Sequence, residues 1–177
     1  MTREYLFAGF GGQGLLFSGK VLAYKALLEG KNVSWLPSYG PEMRGGTANC
    51  SVIISDDPVG APIISNADVL VAMNLPSLDK YEPTVKAGGI IVVDSSLIER
   101  KVTRDDVQVY YLPATTMASD AGTPTLANMI LMGKLMDVLG EYDEAMVDKA
   151  LGKCISARHA DLFDANKKAM EMGREFK

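Results

Sequence analysis

Residues 4–14 read EYLFAGFGGQG, a short apolar run that breaks into glycines spaced Gly9-x-Gly11-x-x-Gly14. Apolar residues then recur at helical spacing from Leu15 to Leu28, and Gly30 stops the pattern. A buried strand, a glycine turn and a helix closed by glycine are the opening unit of a doubly wound α/β fold. Gly11 and Gly12 allow the backbone to turn sharply and to approach a ligand. The helix that follows aims its free N–H groups at the loop, which suits an anion. Gln13 adds a side-chain donor and acceptor.

Which anion is less clear from spacing. A dinucleotide fold places an acidic residue about 20 positions on, at the end of the second strand, to hold a ribose. Here that region is Ser34-Trp35-Leu36-Pro37-Ser38, with no carboxylate, and Glu29 belongs to the helix end. NAD binding is weakened. No Gly-Lys-Ser/Thr follows, so a P-loop is excluded. A turn that needs small residues and binds nothing stays open as the alternative.

The rest of the chain continues the alternation. Strands are expected at 32–37, 47–55, 68–73, 89–95 and 107–113. Helices are expected at about 76–88 (interrupted by Pro83), 125–140, 143–155 and 161–176, with a loop or broken helical turn at 113–124. Runs such as GIIVVDS are typical of parallel strands covered on both faces. Strand 47–55 follows its predecessor after a short loop only. A parallel crossover needs a dozen or more residues, so this strand is expected to be antiparallel to its neighbour. The fold class is a three-layer α/β/α sandwich with a Rossmann-like, mostly parallel but mixed sheet. The chain has 177 residues and no linker, which suits a single domain, 1–177, ending in helices at about 143–177.

Composition excludes several function classes. Hydrophobic residues make up 47% and charged residues 23%, so a disordered chain is not expected. Net charge is −4 without blocks of one sign, so nucleic acid is not an expected partner. No run approaches the roughly 18 apolar residues of a membrane span, and no signal peptide is visible. A cytoplasmic protein is expected. Cys50 and Cys154 are far apart and too few for an iron–sulfur cluster, and His159 is the single histidine. The thiols are read as buried or half-buried and free, and His159 as a surface residue without a triad. Met129, Met132 and Met136, at helical spacing, read as core or subunit interface.

Three further places carry candidate residues. The loop SYGPEMRGG, 38–46, holds Tyr39, Glu42 and Arg44. Arg44 suits a carboxylate or phosphate, although a structural ion pair with Glu42 or a subunit contact explains it as well. Asn74, Asp94 and Pro113–Thr116 each follow a strand. Ligands of open α/β sheets lie outside the carboxyl ends of the strands, so these residues are expected to share one rim with Gly11–Gly14.

Taken together, GFGGQG, SYGPEMRGGTANCSVIIS, DVLVAMN and GGIIVVDSSLI resemble the gamma subunit of 2-oxoacid:ferredoxin oxidoreductases, over about residues 4 to 140. The chain is also similar to the gamma-type domain of single-chain pyruvate enzymes. The resemblance implies an enzyme subunit, inactive when isolated. The assembly would decarboxylate a 2-oxoacid oxidatively, form an acyl-coenzyme A and reduce ferredoxin. It implies alpha, beta and delta partner subunits, with thiamine diphosphate and iron–sulfur clusters held on those partners. Coenzyme A is the guest implied for Gly11, Gly12, Gln13 and Gly14, with Tyr39, Glu42, Arg44, Asn74, Thr115 and Thr116 completing the candidate cofactor-binding set. An indolepyruvate-type subunit and a purely structural subunit with an empty loop are the alternatives. The apolar helix 125–140 leaves room for a dimer interface.

Overall fold

The computed structural model describes residues 1–39 and 47–177. In chain order the elements are β1 (Thr2–Phe10), α1 (Leu15–Leu28), β2 (Asn32–Tyr39), β3 (Thr47–Ser55), β4 (Val69–Ala72), α2 (Leu75–Tyr81), β5 (Ile90–Asp94), β6 (Gln108–Leu112), α3 (Ala114–Asp120), α4 (Ala127–Val138), α5 (Glu144–Cys154) and α6 (Ala160–Glu175). The strands form one six-stranded sheet in the order β2-β3-β1-β4-β5-β6. β3 is antiparallel to both β1 and β2, while β1, β4, β5 and β6 are mutually parallel. The mixed sheet and the antiparallel return at 47–55 follow the expectation from loop length.

Period-two alternation builds the two faces. Tyr5, Phe7, Val69, Val71 and Val92 join the larger core with α1, α4, α5 and α6. Leu6, Ala8, Leu70, Ile91 and Val93 point to the opposite core with Leu78 of α2, Val85 and Ile98. Both faces of the central strands are therefore dry, as continuous apolar runs require. The second layer is thin. No helix joins β5 to β6; Glu82, nearly buried, instead ties this crossover down, accepting from Arg100 Nη2 (2.7 Å) and from Thr103 N and Oγ1 (2.7 and 2.8 Å). β2 is an edge strand, where Pro37 costs no ladder bond if its nitrogen faces outward.

The structure decides the methionine question. Met129, Met132 and Met136 are fully buried between the sheet and α6, so α4 offers them to the core of this chain and leaves them unavailable for a dimer contact. Nine of the twelve residues of α4 are buried, all but Lys134, Asp137 and Val138. Gly133 and Gly173 let α4 and α6 touch backbone to backbone: a Cβ on Gly133 would collide with Met170 O, and one on Gly173 with Ile130 O. Residues 114–120, expected as loop or broken turn, form α3. Its Ala114 and Ala118, one turn apart, pack into the core, a two-residue apolar signal too short to read as a helix. The thiols are free, Cys50 buried and Cys154 half-buried, and His159 is exposed.

Candidate functional site at the carboxyl edge of the sheet

β1, β4, β5 and β6 end on one edge, at Phe10, Ala72, Asp94 and Leu112. The loop after β1 is a turn with Gln13 N donating to Phe10 O (3.3 Å). Gly12 (φ 89°) and Gly14 (φ 75°) take left-handed backbone conformations, which side-chain-bearing residues disfavour. Gly14 is the N-cap of α1, so it supplies no capping side chain, and the first turn of α1 has no acidic residue. The helix therefore presents an electropositive end with unpaired donors to the loop. At its other end Lys25 pairs with Glu29 (2.6 Å), which suits the opposite pole.

The glycines divide by cause. Gly9 makes room for the Gln13 amide: a Cβ there would displace Gln13 Oε1 from its place and crowd Met73. Gly14 is required by packing: a Cβ would lie 2.5 Å from Asn128 Nδ2, which donates to Gly14 O (3.0 Å) and to Ser18 Oγ (3.1 Å). Gln13 spends its amide inside the fold. Its Oε1 accepts from Phe10 N (2.6 Å) and its Nε2 donates to Met73 O (3.1 Å), stapling the end of β1 to the end of β4. Gly11 and Gly12 are exposed, and a Cβ on Gly12 would meet nothing within 4 Å. These two residues and the helix end are what the loop offers to a guest.

Asn74 lies directly beyond that staple. It is buried and caps α2, its Oδ1 accepting from Ser77 N (2.8 Å). Asn74 Nδ2 and Ser77 Oγ have no hydrogen-bond partner, an uncommon state for buried polar atoms. One strand further, Asp94 is fully buried and accepts from Ser96 N (3.1 Å), Thr115 N (3.3 Å) and Thr115 Oγ1 (2.6 Å). Thr115 thus anchors the start of α3 to β5. Thr116 is exposed, its N–H donating to Ser96 Oγ (3.1 Å).

The rim expected from the sequence is therefore assembled from Gly11–Gly14, Asn74, Asp94, Thr115 and Thr116. Tyr39 ends β2 on the same edge; its side chain, Glu42 and Arg44 lie outside the described residues. Sequence reasoning missed Asn128, the residue that seats Gly14. Its signal was a lone amide in the apolar stretch LANMILM. It also missed Ser96, whose role depends on a contact between two strand ends.

A groove of about 340 Å³ adjoins the loop, bounded in part by Gly14, Phe17, Asn128, Cys154, His159 and Asn166. Burial pushes the Cys154 thiol upward and Lys20 partly opposes that, so no thiolate nucleophile is prepared there. Among the described residues no group of three or more His, Cys, Asp or Glu could hold a metal ion. No helix among them is long and apolar enough to cross a membrane.

Comparison with known proteins identifies the fold's relatives. Residues 4–176 match the family model described as pyruvate ferredoxin/flavodoxin oxidoreductase. The ketoisovalerate oxidoreductase subunit VorA of Methanothermobacter thermautotrophicus is 41% identical over 96% of this chain. That alignment covers 35% of VorA, so the chain spans about a third of the length of this relative. The crystal structure of a keto/oxoacid ferredoxin oxidoreductase gamma subunit from Geobacter sulfurreducens superposes with a TM-score of 0.82 at 32% identity, covering 98% of this chain and 96% of that one. The 2-oxoglutarate:ferredoxin oxidoreductase of Magnetococcus marinus, solved with 2-oxoglutarate, coenzyme A and succinyl-CoA bound, shares the fold with a TM-score of 0.87 at 22% identity, covering 98% of this chain and 30% of that one. With the family model matched from Glu4 to Phe176, this chain belongs to the pyruvate ferredoxin/flavodoxin oxidoreductase family.

Proposed function

We propose that the chain is the gamma-type subunit of a thiamine-diphosphate-dependent 2-oxoacid:ferredoxin oxidoreductase, folded as a single domain and working in the cytoplasm. In this reading it helps to bind coenzyme A and to assemble the complex. Alpha, beta and delta partners carry the thiamine diphosphate and the iron–sulfur clusters. The single observation that carries the coenzyme A role is the uncapped N-terminus of α1 opening onto exposed Gly11 and Gly12. The diphosphate is an anion, and such an end favours one. Its ribose bears a 3′-phosphate, so the absence of a carboxylate at residues 34–38 removes a repulsion. A protein of this fold has been solved with coenzyme A bound.

The chain's own chemistry is binding. In the described rim segments the only ionisable side chain is Asp94, fully buried beneath Thr115, so these segments present no exposed acid or base. Gly11, Gly12 and the amides of the first turn of α1 would hold the diphosphate; coenzyme A supplies the acyl-accepting thiol. The 2-oxoacid is recognised elsewhere in the assembly.

The second reading, a structural turn that binds nothing, is favoured by one observation: Gln13, Gly9 and Gly14 are each explained by internal packing. Charge separates the two. Gly12→Asp places a carboxylate beside the helix end in open space; Gly12→Asn is its neutral isostere. Assayed in the purified complex with a panel of 2-oxoacids, the Asp variant should raise KM for coenzyme A about tenfold, roughly 1.4 kcal/mol, relative to the Asn variant. KM for the 2-oxoacid should stay unchanged. Equal coenzyme A constants in both variants would refute the anion seat.

A further inference from the structure

The first turn of α1 is held from outside by a buried polar pair whose presence stability does not explain. Asn128, the second residue of α4, and Ser18 of α1 are both buried against the apolar core that the two helices share. Asn128 Nδ2 donates to Gly14 O (3.0 Å) and to Ser18 Oγ (3.1 Å), and Ser18 Oγ in turn donates to Met129 Sδ at 3.9 Å. Asn128 Oδ1 is buried without a partner among the described residues. A thioether is a weak acceptor. A buried acceptor left unpaired costs about as much as one or two hydrogen bonds contribute. Apolar side chains of the same shape would therefore join α1 to α4 about as well. What they would not do is hold the Gly14 carbonyl.

That carbonyl belongs to the residue most in need of holding. Gly14 is the N-cap of α1, at φ 75° and ψ 20°. A glycine enters this region and its mirror image about equally, so the residue type alone does not select the observed conformation. Three of the four residues Gly11–Gly14 are glycines, and fixing each one costs backbone entropy. The Gln13 amide pins the middle of the loop to Phe10 and Met73. The Asn128 amide pins its far end, as a second donor to a carbonyl that already accepts from Ser18 N (3.0 Å). We infer that Asn128 is a positioning residue for the anion seat: through Gly14 it fixes the direction in which Gly11 and Gly12 leave the helix end. A loop fixed in advance loses no freedom when its ligand arrives, which raises affinity. The inference rests on the coenzyme A reading of this loop.

The test compares three variants in the purified complex. Asn128→Leu keeps the bulk and removes both donors, Asn128→Ala removes them without any risk of a clash, and Ser18→Ala disturbs the same cluster but leaves the Gly14 bond. Both Asn128 variants should raise KM for coenzyme A about fivefold, the scale of refixing one freed residue. Their kcat at saturating coenzyme A and their KM for the 2-oxoacid should stay at wild type. Ser18→Ala should leave all three constants unchanged. A coenzyme A constant unmoved in both Asn128 variants, while Gly12→Asp still raises it above Gly12→Asn, would overturn the positioning role and leave the anion seat in place. An equal shift in Ser18→Ala, or a parallel shift in the 2-oxoacid constant, would make Asn128 a packing residue and overturn the role as well. A coenzyme A constant indifferent to the Gly12 charge and to Asn128 alike would overturn the coenzyme A reading itself.

Discussion

Thr115→Val is the perturbation that best separates a structural residue from a ligand contact. Thr115 Oγ1 donates to Asp94 Oδ2 at 2.6 Å, and Asp94 is fully buried. Oδ1 of the same carboxylate keeps two backbone donors, Ser96 N and Thr115 N, whereas Oδ2 has no other donor among the described residues. Valine preserves the shape and removes the hydroxyl. A hydrogen bond to a charged group contributes about 1.5–3 kcal/mol, and a buried oxygen left unpaired incurs a desolvation cost of similar size. We take about 2 kcal/mol as the expected loss. For a chain of this length that corresponds to a drop in melting temperature of roughly 4–8 °C. Urea unfolding at neutral pH should show a lower midpoint with an unchanged slope. Thr115→Ser, which keeps the hydroxyl, should recover most of the loss. Thr116→Val, at an exposed side chain, should stay within about 0.5 kcal/mol of wild type. A Thr115→Val protein as stable as wild type, with a raised KM for coenzyme A, would refute the reasoning and return Thr115 to the binding set.

Two further predictions concern the frame around the site. Gly133→Ala should destabilise by about 2–4 kcal/mol in urea unfolding, because the new Cβ meets the Met170 backbone and no rotamer relieves it. Gly152→Ala, in α5 with open space around it, should instead stabilise by up to about 1 kcal/mol. Alkaline pH should also weaken the fold. Burial pushes the Tyr5 hydroxyl up from 10.0 to about 12 and the Cys50 thiol up from 9.0 to about 12. Each raised group keeps its proton longer in the folded state, so its contribution is complete below the unfolded pKa and is lost as pH rises to about 12. Melting temperature should decline from about pH 9 upward, and Cys50→Ala should make that decline shallower. A pH-independent melting temperature between pH 9 and 12 would contradict the burial of both groups.

The rim was legible because topology is encoded locally. The apolar run 4–10, the glycines after it and the helical spacing from Leu15 specify a strand, a turn and a helix from neighbours in sequence. Parallel strands then force their carboxyl ends to one edge, which places Asn74, Asp94 and Thr115 beside Gly11–Gly14 from the sequence alone. The short loop before residue 47 likewise announced the antiparallel return of β3, and the glycine loop with its accompanying motifs pointed to the family.

What each rim residue does was decided only by tertiary contacts. Whether Gln13 faces a guest or the fold depends on Phe10 N and Met73 O, the latter supplied by the residue just after β4, 60 positions away. Gly14 is fixed by Asn128, 114 positions on, and Thr115 by Asp94. Met129, Met132 and Met136 have the same spacing on a core helix as on an interface helix; the close passage of α6, through Gly133 and Gly173, placed them inside. Hydrogen bonds and close packing act over a few ångströms, between residues that only the completed fold makes neighbours. Sequence periodicity determined the elements and the edge on which they converge. The partnering of individual polar groups there belongs to the tertiary structure.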